Sequence, residues 1–168
     1  DDKDKKTSFT FVLLVIFASA IALVAWMTTY LCAVIPGPKL YNGMILGFSE
    51  CIASLGFGFL LKLTSDTNAA AVLAVVCGVF NILYRMLGAG EGGIPAMICL
   101  GFAILGVGGL VNAIFIMIEM RVPPEKLGAN ITLITTVAIL CAGAAPNLAF
   151  LPSPTPLYIM LTLLTVIF

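Results

Sequence analysis

The sequence contains no histidine, and only 10% of its 168 residues are charged. The first absence removes the commonest metal ligand and the commonest general base. The second sets the chain apart from soluble domains, in which about a quarter of residues carry charge. Eight Lys and Arg balance eight Asp and Glu, so no basic surface is available for nucleic acid. The five cysteines, Cys32, Cys51, Cys77, Cys99 and Cys141, stand singly in apolar segments, with no C-x-x-C pair and no framework spacing. They read as buried free thiols, in keeping with the usual behaviour of apolar cysteine. Phosphate loops, nucleophile elbows, zinc motifs and paired-carboxylate constellations are all missing from the sequence. The expectation is a protein that is not an enzyme and has no metal, no cofactor and no nucleic-acid partner.

Hydrophobic residues, by contrast, make up 61% of the chain, and the mean hydropathy is +1.17. They come in runs too long for a water-facing helix, which shows one apolar stripe and one polar face. A membrane helix needs roughly 20 apolar residues, and non-helical backbone cannot face lipid. Breaks at charges, prolines and glycine clusters therefore predict an all-α, multi-pass integral membrane protein whose surroundings are the lipid bilayer, of the plasma membrane or an organelle.

A polar lead-in at residues 1–8 precedes a single transmembrane domain over 9–168. Its spans are predicted at about 9–35, 40–63, 69–87, 94–118, 127–151 and 157–168. Pro36-Gly37-Pro38, the polar stretch Thr64–Asn68, Gly88–Gly93 and the charged loop Glu119–Lys126 separate the first five. Pro146 is expected to kink the fifth span, and Pro152, Pro154 and Pro156 to form a stiff turn before the sixth. That last span has too few residues to cross an approximately 30 Å core. The missing initial methionine and the apolar ending lead to the expectation of a longer polypeptide.

Counting Lys and Arg in alternate loops gives Lys3, Lys5, Lys6, Lys62, Arg121 and Lys126 on one side, and Lys39 and Arg85 on the other. The excess predicts an amino terminus on the inner side. Asn130-Ile131-Thr132 matches a glycosylation sequon, but it falls on that inner side and is rejected as a glycan site.

The residue that stands out is Glu50, about ten residues into the second span and so about 15 Å deep. A central acid costs about 2.5 to 3.5 kcal/mol on translocon scales, so it should face a bundle interior or a wet cavity. Two readings follow: a site for a cation or proton, or a neutral acid hydrogen-bonded to a neighbouring helix. Asn42, Asn81, Asn112 and Asn147 are candidate partners for the second, and Thr132, Thr135 and Thr136 form a polar patch on the fifth span. Ala18, Ala22 and Ala25, Gly43 and Gly47, and Gly106, Gly108 and Gly109 have the spacing of helix-packing faces.

The order of segments, with the second span reading Tyr41-Asn42-Gly43 through Gly47-Phe48-Ser49-Glu50, resembles the carboxy-terminal six-helix half of a major facilitator superfamily transporter, nearest the organic cation and anion branch. The loop Glu119–Gly128 is similar to that family's Glu-Leu-Phe-Pro-Thr-x-x-Arg-x-x-Gly signature, through Glu119, Pro123, Lys126 and Gly128. The proline is displaced by one position, lysine replaces arginine, and the glycine arrives one residue early. After the second span, Lys62-Leu63-Thr64-Ser65-Asp66-Thr67 stands where relatives carry an Asp-Arg-x-Gly-Arg-Arg gating motif.

The resemblance implies two three-helix repeats forming half of a secondary transporter that moves a small organic ion by alternating access. It also implies a cavity wall bearing Glu50, Asn42, Asn112 and Thr135, a gating loop with Lys62, Glu119, Arg121 and Lys126, and a second, amino-terminal six-helix half as partner. The departures in both loops support an alternative, a transporter-derived, non-transporting subunit held among other membrane subunits. No filter-like loop supports a channel.

Overall fold

A computed structural model describes residues 2–34, 38–87 and 93–149. The expected sixth span, the proline turn before it, and most of the turns around Pro36 and Gly88–Gly92 lie outside these residues. Helix α1 runs from Asp2 to Val34, α2 from Lys39 to Leu63, α3 from Asp66 to Met86, α4 from Ile94 to Arg121, α5 from Pro124 to Ala142, and a short α6 from Ala145 to Ala149. Among the described residues, five helices are long and apolar enough to cross a membrane: Phe9–Ala33, Lys39–Leu63, Asp66–Met86, Ile94–Arg121 and Pro124–Ala142. Their surfaces carry Leu40, Phe48, Leu55, Phe59, Ile94 and Leu140 in the open. So much contiguous apolar surface would not be left in water. The protein is an all-α, multi-pass membrane protein.

Helix boundaries follow local chemistry. The stretch Thr64–Asn68, expected as a connection, is mostly the first turn of α3: Ser65 caps it, its hydroxyl accepting from the Asn68 amide at 3.3 Å, and Asp66 sits at the positive end of the helix dipole. The fourth helix continues past the expected end at 118 to Arg121, and α5 starts at Pro124, a residue suited to the first helical position. The expected kink at Pro146 is instead a break. Proline has no N–H to give the carbonyl four residues back, which belongs to Ala142, and its ring crowds that carbonyl. Accordingly α5 stops at Ala142, Gly143 and Ala144 turn through i→i−3 bonds to Leu140 and Cys141, and Pro146 lies in α6.

Helix α4 is the centre of the arrangement, and its glycines set how closely neighbours approach. A Cβ built on Gly106 would fall 2.7 Å from the Cys77 amide nitrogen and 2.8 Å from the Leu73 carbonyl oxygen of α3. On Gly109 it would meet the Leu73 side chain at 2.7 Å. Towards α2, a Cβ on Gly101 would touch Ile45 and Ser49 at 3.4 Å, and one on Gly108 would lie 3.0 Å from the Ala53 Cβ. The order of these contacts makes α2 and α4 parallel and α3 antiparallel to α4. Small residues thus let backbones approach where lipid supplies no hydrophobic drive between helices. The expected packing role of Gly106, Gly108 and Gly109 is observed. Gly43 and Gly47 differ, because no atom of a described residue lies within 4 Å of a Cβ built on either.

Several hydroxyls within the spans are satisfied by their own helix, which suits the membrane: Ser19 donates to the Val15 carbonyl at 2.8 Å, buried Thr28 to Val24 at 2.7 Å, and Thr29 to Ala25 at 2.9 Å. Cys32, Cys77 and Cys99 are buried free thiols, as expected, whereas Cys51 is exposed on α2 and Cys141 is half-buried.

Candidate functional site

Helix α2 presents three faces. Asn42, Ala53 and Phe57 are buried, with Leu46, Ser49 and Leu60 half-buried beside them, and this face packs mainly on α4. Tyr41, Met44, Phe48, Ile52, Leu55 and Phe59, at successive steps of three or four, form an exposed face of large apolar side chains. The third face consists of Gly43, Gly47, Glu50, Ser54 and Gly58, again at steps of three and four and all exposed. Large side chains suit lipid; the third face offers glycines, a hydroxyl and a carboxylate. Helical geometry at 3.6 residues per turn keeps these two exposed faces apart.

Glu50 lies next to the centre of the 25-residue α2. Its backbone is at the level of Gly108, whose added Cβ would be 3.8 Å from the Glu50 Cα. Its carboxylate makes no hydrogen bond and no ion pair with any described residue. One turn along, the Ser54 hydroxyl oxygen accepts from Asn112 Nδ2 at 3.3 Å, and the same Nδ2 donates to the Gly108 carbonyl at 3.0 Å. Asn112 therefore ties α4 to the polar face of α2 beside Glu50 without touching it.

The other expected site residues are distributed differently. Asn42 is buried two turns before Glu50, against a cavity of about 330 Å³ where α1 ends and α2 begins, lined also by Thr29, Cys32, Lys39 and Gly43. Thr135 lies elsewhere, in an apolar crevice of about 190 Å³ between α1, α4 and α5, with Ala18, Ala22, Trp26 and Phe115. The four expected cavity residues therefore do not converge on one point: Glu50 and Asn112 are neighbours, Asn42 borders the same helix nearer its start, and Thr135 is separate.

The asparagines expected to bridge to Glu50 do not do so. Asn81 is fully buried on α3 and turns its amide back to the Cys77 carbonyl at 2.9 Å and the Cys77 sulfur at 3.5 Å. On the fifth span, Thr132 donates to the Gly128 carbonyl and Thr136 to that of Thr132, so neither hydroxyl is spent on a neighbouring helix.

At the opposite ends of α2 and α4, the expected gating residues behave unequally. Lys62, Glu119 and Lys126 are exposed. Arg121 Nη1 forms an ion pair with Asp66 Oδ2 at 2.7 Å, and Nη2 donates to the Thr67 hydroxyl at 3.2 Å. The carboxylate belongs to the first turn of α3, so the pair fastens the end of α4 to the start of α3. Asp66 was not among the expected residues. Its signal was the Ser65-Asp66 pair, a capping serine followed by a first-turn acid, in a stretch that read as a loop.

No group of three or more metal-ligating side chains occurs among the described residues. Chemically, the mid-span face of α2 offers a carboxylate at Glu50 and, one turn along, a hydroxyl held by the Asn112 amide of α4. In comparisons with known proteins, no family model, no curated protein and no solved structure matches the chain.

Proposed function

We propose that the chain is the carboxy-terminal half of a secondary transporter of major facilitator type, moving a small organic ion by alternating access. The observation that supports this reading is the third face of α2. A carboxylate at the middle of a spanning helix, with no partner among the described residues and with exposed glycines on the same face, suits the wall of a cavity shared with a second bundle. Asn112, fixed to Ser54, adds a hydrogen-bonding group to the same wall. The second bundle would be an amino-terminal six-helix half, and the two would rock about the site they share.

Uptake of a labelled organic ion by reconstituted full-length protein tests the reading. Accumulation is expected, and Glu50→Gln should abolish it. Uptake by Glu50→Gln equal to that of the unaltered protein would remove the carboxylate from the mechanism.

A second reading, a non-transporting subunit of a larger membrane assembly, is favoured by the open glycines alone. Gly43, Gly47 and Gly58 leave room for another helix to lie directly on α2. On that reading the protein co-purifies with other membrane chains, and Glu50 is dry against a neighbour.

A further inference from the structure

We draw no further inference here: the strongest candidate, the crevice between α1, α4 and α5 that continues past Trp26 and Ile139 into the cavity beside α6, is an apolar groove along the spans, and nothing among the described residues shows what covers it.

Discussion

Replacing single glycines by alanine should separate the packed faces of this protein from its open ones. At Gly106, the new methyl group would sit 2.7 Å from a backbone nitrogen and 2.8 Å from a backbone oxygen of α3. Comfortable contacts between non-bonded heavy atoms lie near 3.5 Å, so α3 would have to move by about 0.7 Å or more. Because both obstructing atoms are backbone, no rotamer change relieves the clash. Overpacking of this kind costs about 1–3 kcal/mol. Alanine returns about 1 kcal/mol of helix preference, which leaves a net loss of about 0–2 kcal/mol for Gly106→Ala. At Gly109 the obstructing atoms are the far end of the Leu73 side chain, which can rotate, so the loss should be smaller. At Gly47 no described residue lies within 4 Å, and Gly47→Ala should be neutral or stabilising by up to about 1 kcal/mol. SDS titration of the folded protein in mixed micelles, followed by the fluorescence of Trp26, the single tryptophan, would measure all three. Equal stability of Gly106→Ala and Gly47→Ala would refute the α3–α4 packing described above.

Three other perturbations test separate parts of the structure. The Asp66 and Arg121 side chains are only 15% and 22% exposed, so their pair sits between the surface and buried cases, and Arg121→Ala should cost about 1–2 kcal/mol. In a double-mutant cycle with Asp66→Ala most of that loss should appear as coupling; additive losses would mean the pair contributes nothing. Pro146→Ala restores an N–H four residues after Ala142, and hydrogen exchange should show α5 and α6 protected as one continuous helix, in contrast to the break at Gly143 in the unaltered chain. In a background lacking the native cysteines, Ser54→Cys and Gly47→Cys should react with a membrane-impermeant thiol reagent. Phe48→Cys and Leu55→Cys should not, and equal labelling of the four would deny that α2 has two different exposed faces.

Much of the fold could be read from the sequence because the membrane imposes one rule on every span. Runs such as Phe9–Ala33 and Ile94–Ile118 are apolar all round, and in lipid such a run satisfies its backbone only as a helix. Errors collected at helix ends, where polar residues are ambiguous. Ser65 and Asp66 read as loop by polarity alone, yet a capping hydroxyl and an acid on the helix dipole are what begin a helix. Pro146 read as a kink, and the structure made it a break because proline offers no N–H to the Ala142 carbonyl and its ring crowds that carbonyl. The candidate site was less legible. Glu50 could be found from depth alone, but its relation to Asn112 depends on the parallel register of α2 and α4, which links residues 58 positions apart. The separation of Thr135 from Glu50 likewise depends on which side of α4 each helix occupies, and no local pattern encodes that.

The glycines show the same limit in its plainest form. Gly43 and Gly47 have the i, i+4 spacing that a packing face requires, while Gly106 and Gly109 have i, i+3, and sequence alone ranks them together. In the structure the second pair is filled by α3, and among the described residues nothing lies against the first pair. Helix α4 spends its glycines on α2 and α3 and leaves little of itself uncovered, so the bundle is built around it. Helix α2 instead turns two-thirds of its circumference outward, and one of those outward thirds is unsuited to lipid. A face with small residues, a hydroxyl and a midplane carboxylate costs free energy against hydrocarbon and recovers it against water, a solute or another helix. The asymmetry between the two exposed faces of α2 is thus the physical basis for the proposal that a further surface meets α2 beside Glu50.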